Sequence, residues 1–303
     1  MNITDKTGNK DKTENRDKAE STGIMETEAI NPGPIGVFDS GYGGLTILHQ
    51  MRQTLQQYDY LYLGDNARAP YGPRSFDIVY QFTREAVEKL FSMGCHLVIL
   101  ACNTASAKAL RSIQQNDLPQ IDPNRRVLGV IRPTAECIGS ITQSRHVGIV
   151  ATAGTIKSES YVMEIHKLYP DITVTGEPCP MWVPLIENNE YDSPGADYFV
   201  EKRIGNLMRR DPQIDSIILG CTHYPLLLNK ILKYVPRGVR IVPQGEYVAN
   251  SLKDYLMRHP EMDMRCSKHG TCHYLTTESA EKFRESAQLF LNEDIDVERV
   301  VLG

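Results

Sequence analysis

The chain has 303 residues, 41% hydrophobic and 23% charged, with a net charge of −5 and no long single-sign runs. That length suits one large domain or two compact α/β lobes, and the composition is ordinary for a globular protein. The charge excludes a broad basic surface for nucleic acid, and no apolar stretch reaches the length of a membrane span.

Residues 1–33 are rich in Asp, Lys, Glu, Thr and Asn and nearly free of large apolar side chains. Such a segment buries too little to offset its ordering entropy, so it reads as a disordered leader. It also lacks the apolar centre of a signal peptide. Export is therefore not expected, and the seven cysteines read as free thiols in a reducing cytoplasm. Asn31-Pro32-Gly33-Pro34 breaks the chain, and folded sequence is expected from Ile35.

From there short apolar runs alternate with helical periodicity. Strands are expected at Ile35–Phe38, Leu61–Leu63, Leu97–Ala101 and Val127–Ile131, with helices at Gly43–Gln57, Ser75–Met93 and Asn103–Gln115. Further strands are expected at Val147–Ala151, Ile172–Thr175, Ser216–Leu219 and Val239–Val242, with helical stretches between them. Leu275–Thr277 ends another strand, Thr277 is the expected cap of a helix over Glu278–Leu291, and Val297–Leu302 is a final short strand. Strands separated by 10–15-residue helical patterns mean βαβ units and a mainly parallel sheet. In such folds ligands gather at the carboxyl ends of the strands.

Two segments echo each other. Val98–Thr104 reads VILACNT and Ile217–His223 reads IILGCTH. Each is an apolar strand, a small residue, a cysteine, then polar residues opening a helix. Each also has a Gly-led apolar partner upstream, Gly36–Ser40 and Gly148–Thr152. The repetition suggests two related lobes, each presenting a cysteine. Two thiols on opposite walls suit racemisation, in which one thiolate removes a proton from a carbon and one thiol returns a proton to the other face. A helix N-terminus, expected for both, favours the thiolate. Asn103, Thr104, Thr222 and Ser40 are placed to donate hydrogen bonds to a substrate carboxylate, and Gly41, Gly43 and Gly44 to bring backbone amides to an anion.

Plainer readings stand beside these. A single cysteine after a strand is most often a small core residue. Cys95, Cys137 and Cys179 lack the echoed context and read as structural. Asp39 reads equally as an N-cap, His223 as a satisfied histidine, and Glu187 as part of a solvated helix face. Gly41–Gly44 lacks the dinucleotide spacing, and no phosphate loop occurs, so no cofactor is expected. Cys266, His269, Cys272 and His273 match no common zinc spacing, so no metal is expected either.

Five motifs, in order along residues 35–303, resemble the glutamate racemases of the aspartate/glutamate racemase family. They are Gly36–Leu45 (GVFDSGYGGL), Leu63–Gly72 (LGDNARAPYG), Ala101–Ala107 (ACNTASA), Val183–Glu187 (VPLIE) and Leu219–Leu227 (LGCTHYPLL). The Cys-Thr-His-Tyr-Pro form points to glutamate rather than aspartate. The resemblance implies two flavodoxin-like parallel-sheet lobes with pseudo-twofold symmetry and the active site between them. It places the first lobe at 34–130 plus 241–303 and the second at 131–240. It implies a homodimer that interconverts L- and D-glutamate without a cofactor, supplying D-glutamate for peptidoglycan. Cys102 and Cys221 are the implied acid–base pair, the first taking the proton from D-glutamate and the second from L-glutamate. Asp39, Glu187 and His223 are implied as supporting catalytic residues. Asp39, Ser40, Tyr71, Gly72, Asn103, Thr104, Thr152, Thr155, Thr222 and His223 match substrate-binding positions. A racemase of aspartate or another acidic amino acid, or a non-catalytic amino-acid-binding relative, are the alternatives. Arg132, the segment Gln120–Arg126 and Pro243-Gln244-Gly245-Glu246 depart from the family pattern, outside the two-cysteine core.

Overall fold

The computed structural model describes residues 31–302. The expected leader lies, up to residue 30, outside the described residues. The folded chain includes Gly33, two residues before the expected start at Ile35, with its backbone bonded to Arg265 and Ser267.

Among the described residues, ten strands form two parallel sheets. The first contains β1 (Ile35–Asp39), β2 (Tyr60–Gly64), β3 (Leu97–Leu100), β4 (Arg126–Gly129), β9 (Cys272–Thr276) and β10 (Val297–Arg299), in the order β10-β9-β2-β1-β3-β4. The second contains β5 (His146–Ala151), β6 (Thr173–Pro178), β7 (Ser216–Gly220) and β8 (Arg240–Val242), in the order β6-β5-β7-β8. The order 2-1-3-4 is thus repeated as 6-5-7-8, which is the flavodoxin-like pattern of two α/β lobes. The lobe boundary expected at 240/241 falls inside β8. That strand pairs with β7, so the chain leaves the second sheet only after Val242.

Both faces of each sheet are covered, as parallel sheets require. In the first sheet Val37, Tyr62 and Ile99 face one apolar cluster, and Phe38, Leu63 and Leu100 face another. The second sheet divides likewise, Ile217 and Leu219 to one side, Ile149 and Ile218 to the other. Period-two alternation inside continuous apolar runs therefore fills four core layers.

The echo noticed in the sequence is a register. Gly36 pairs with Val98 in the first sheet, and Gly148 pairs with Ile217 in the second. Each cysteine lies four residues beyond the partner of its glycine.

Helix α1 (Leu45–Thr54) follows β1, α2 (Phe76–Ser92) follows β2, and α3 (Asn103–Lys108) follows β3. Several expected elements are redrawn. The helix expected over 103–115 stops at Lys108 and continues as short turns, including a wide π turn at Ile113–Asp117. The strand expected to reach Ile131 ends at Gly129, and residues 131–141 are helical. Thr277 is not the expected cap. β9 runs through Thr276, Thr277 bonds to Asp65 and Ala67, and Ser279 caps a helix at Ala280–Leu291 by accepting from Lys282 N. Among the described residues no helix is long and apolar enough to cross a membrane.

Candidate active site

In a sheet ordered 2-1-3-4, the strand order reverses between strands 1 and 3, and a crevice opens at their carboxyl ends. The first lobe brings Asp39 at the end of β1, Ser40 just beyond it and Cys102 after β3 to that crevice. The second brings Thr152 after β5 and Cys221 after β7. Both crevices open into one cavity of about 140 Å³. Its lining includes Ser40, Tyr71, Gly72, Cys102, Asn103, Thr104, Thr152, Glu187, Cys221, Thr222 and His223. Of the thirteen residues singled out in the sequence, only Asp39 and Thr155 stand behind this wall, both almost wholly buried. A larger groove of about 630 Å³, bordered by Lys108, Arg111 and Arg132, has no cysteine or histidine among its described lining residues. Chemistry, rather than size, selects the smaller cavity.

Cys102 is the N-cap of α3. Its Sγ accepts from Ala105 N at 3.4 Å, and its S–H faces Ser40 Oγ at 3.4 Å. Burial pushes this thiol up to about 12, and the Asp39 carboxylate adds to the rise, against smaller lowering by Ser40 and Ala105. A helix-terminal position therefore does not make Cys102 a thiolate. Desolvation outweighs the dipole.

Cys221 is not at a helix N-terminus, contrary to expectation. It lies in a turn, with Tyr224 N bonded to its carbonyl, ahead of a single 3₁₀ turn at Tyr224–Leu227. A histidine attends it instead. His223 Nδ1 is 3.9 Å from Cys221 Sγ, and His223 Nε2 is 3.1 Å from Glu187 Oε1. Burial lowers the imidazole pKa, but hydrogen bonds to Cys221 and Glu187 outweigh it and raise His223 to about 10. With both ring nitrogens protonated, His223 donates to Glu187 and turns positive charge toward Cys221. Glu187 sits on a surface helix, as its spacing suggested, yet its side chain turns inward and is only 23% exposed.

Asp39 is fully buried. Its carboxylate accepts from Gly41 N at 2.9 Å and from Thr222 Oγ1 at 3.4 Å. Burial raises its pKa, with lowering by His223 and by the amides of Gly41 and Gly44. The glycine-rich turn thus serves a different end from the one expected. Gly41 N is committed to Asp39, and a Cβ on Gly43 would stand 2.4 Å from both His223 Nδ1 and Thr222 Oγ1. Gly43 is glycine because the other lobe presses against it, and Gly44 because a Cβ there would stand 2.4 Å from Asp39 Cβ.

Three threonines close the opposite end. Thr104 Oγ1 of the first lobe lies 3.0 Å from Thr152 Oγ1 and 3.3 Å from Thr155 Oγ1 of the second. The Tyr71 hydroxyl donates to Asp65, which leaves its ring to line the cavity. Sequence reasoning missed Cys179, which it read as structural and which lines the cavity. Its position directly after β6 was the available signal. It also missed Gln244 and Tyr161, which bond to Asn103. Cys266, His269, Cys272 and His273 do not converge. His269 bonds to Asp59 instead, and among the described residues no group of three or more His, Cys, Asp or Glu side chains is placed to hold a metal.

The site therefore offers a thiol from each lobe, one neutral and one beside a cationic imidazole, around a space lined by hydroxyls and amides. That is equipment for moving a proton on and off a small ligand from two sides. Known proteins carry the same arrangement of chain. Residues 35–251 match the family model described as Asp/Glu/Hydantoin racemase. A protein named glutamate racemase from Streptococcus agalactiae serotype III (strain NEM316) is 37% identical over 273 residues, covering 89% of this chain and 98% of that one. The crystal structure of glutamate racemase isoform RacE1 from Bacillus anthracis superimposes with a TM-score of 0.81 at 33% identity, covering 89% of this chain and 97% of that chain. The glutamate racemase from Francisella tularensis subsp. tularensis SCHU S4, solved in complex with D-glutamate, gives 0.78 at 30% identity, covering 88% and 97%. The chain belongs to the Asp/Glu/Hydantoin racemase family.

Proposed function

We propose that this protein interconverts L- and D-glutamate by two-base proton transfer between Cys102 and Cys221, without a cofactor. The observation that carries the reading is one cysteine from each lobe in the wall of a single small cavity. One thiolate removes the α-proton. The thiol on the other wall delivers a proton to the opposite face, and the configuration inverts. Such acid–base transfer typically contributes roughly 10²–10⁴-fold. The negative charge developing on the substrate's α-carboxylate is met by the hydroxyl and amide donors of Ser40, Asn103, Thr104, Thr152 and Thr222. His223, held by Glu187, supplies or takes up charge as Cys221 changes state. Asp39 orients Thr222 and the Gly41 turn from behind the wall.

Cys221 beside the imidazolium is the base for L-glutamate, and Cys102, a neutral thiol at rest, is the acid that completes that direction. The reverse direction exchanges their roles. The family resemblance extends the reading to a cytoplasmic homodimer whose D-glutamate enters peptidoglycan.

Incubation of purified protein with L-glutamate, with no added cofactor, tests this. The expected result is decay of optical rotation to zero with D-glutamate formed. Faster turnover of L-aspartate would reassign the substrate. Binding of glutamate with no loss of rotation would make the protein a non-catalytic relative.

A further inference from the structure

Among the described residues the cavity wall contains no lysine or arginine, and its one cationic side chain, His223, is engaged with Glu187 and Cys221. A dicarboxylate held there depends largely on neutral donors, so the direction in which each amide points decides whether it attracts or repels. Asn103 is such an amide, and its direction is set from behind.

Gln244 is buried at the point where the chain returns from the second sheet to the first. Its Nε2 lies 3.2 Å from the carbonyl oxygen of Val130, 3.0 Å from Thr134 Oγ1 and 2.6 Å from the Tyr161 hydroxyl. A carbonyl only accepts, and the Thr134 hydroxyl already donates to that same carbonyl. The Gln244 nitrogen must therefore face this group. Gln244 Oε1 is left pointing at Asn103, where it accepts from Nδ2 at 2.7 Å. Asn103 Oδ1 in turn accepts from the Tyr161 hydroxyl at 2.6 Å. Two hydrogen bonds thus fix the direction of the Asn103 carboxamide, one accepted by Oδ1 and one donated by the first of its two N–H groups. The second N–H has no partner among the described residues, and Asn103 lines the cavity.

We propose that Gln244 is a positioning residue that locks the Asn103 carboxamide with an N–H, and never its oxygen, toward the substrate, and so helps the site select a carboxylate over its amide. The inference rests on the proposed reaction for the identity of the ligand, but the lock itself does not depend on turnover. It also reassigns Pro243–Glu246, whose departure from the family pattern the sequence placed outside the two-cysteine core. The residue beside Cys102 is oriented through that segment.

The test compares affinities by calorimetry for glutamate and its two mono-amides, glutamine and isoglutamine. In Gln244→Met, of similar length but without donor or acceptor, Asn103 is free to turn. Glutamate should bind about tenfold more weakly, the order expected for losing one hydrogen bond to a charged group, while discrimination against one of the two amides shrinks by a similar factor. Tyr161→Phe leaves Gln244 Oε1 facing Asn103 and should keep the discrimination. Uniform weakening of all three ligands in Gln244→Met, or unchanged affinities, would overturn the proposal. A measurement on the unaltered protein guards against misfolding of the variant. Titration with glutarate should shift one of the two Asn103 side-chain amide proton resonances and leave the other in place. Movement of neither would also overturn the lock. Because these readouts are binding, a protein that bound glutamate without racemising it would defeat the proposed function and leave this test standing.

Discussion

The two walls of the cavity come from equivalent strands in equivalent registers, yet they treat their cysteines differently. Cys102 is buried with the Asp39 carboxylate behind it, and together these outweigh the lowering by the Ser40 hydroxyl and the Ala105 amide, so its thiol is pushed up to about 12 and held protonated. Cys221 caps nothing and faces a histidine raised to about 10 by Glu187 and by the thiol itself. The comparison teaches that a repeated backbone supplies a matched pair of positions, while unmatched neighbours give the two thiols different surroundings.

The largest effect that would break this picture comes from the thiols. Cys102→Ser and Cys221→Ser should each lose roughly 10²–10⁴-fold in kcat/KM, the usual worth of a positioned acid or base. Because the equilibrium constant of a racemisation is one, kcat/KM must fall equally in both directions, and any asymmetry between the walls appears only in kcat and KM taken separately. Near-normal turnover by either variant would end the two-base assignment.

A smaller effect tests the fit between the walls. Gly43→Ala puts a Cβ 2.4 Å from His223 Nδ1 and from Thr222 Oγ1, both on buried side chains. Overpacking of this kind costs roughly 1–3 kcal/mol in stability, and thermal melting should show it together with reduced turnover. The alanine variant melting with the wild type would mean that the turn tolerates displacement and does not set the position of His223.

The comparison can be sharpened by chemical labelling. Thiolates alkylate and thiols do not. Burial pushes the Cys102 thiol up to about 12, so at pH 7 iodoacetamide should label Cys102 far more slowly than it labels a free cysteine, as read by peptide mass spectrometry; rapid labelling of Cys102 would mean that the thiol is not held protonated. The smallest effect is in stability against pH. The folded-state pKa of His223 lies above its ordinary 6.5, so protonated His223 stabilises the fold fully below pH 6.5, and that contribution is lost as pH rises through about 10. The melting temperature of the wild type should therefore fall more steeply across that window than that of His223→Gln.

Much of this was legible from the residues. Buried parallel strands write continuous apolar runs, so β1, β3, β5 and β7 and the cysteines beyond them could be found, and the family motifs supplied the lobes. What was hidden was set by contacts distant in sequence. Glu187 looked like surface because its partner, His223, lies 36 residues away on another element. Gln244 reaches Asn103 across 141 residues. The helix-start environment expected for both cysteines holds for Cys102 alone, because Cys221 is followed by a turn and a brief 3₁₀ segment. Thr277 and Ser279 are equally good caps by type, and the pairing of β9 with β2 through Thr276 decides between them.

The most direct test of two opposed thiols is the partition of deuterium. L-Glutamate is incubated with the protein in D₂O, and both enantiomers are recovered early, before much conversion. Two bases predict D-glutamate carrying deuterium at the α-carbon while the remaining L-glutamate keeps its proton. Equal early labelling of substrate and product would mean a single base serving both faces, and would contradict the account.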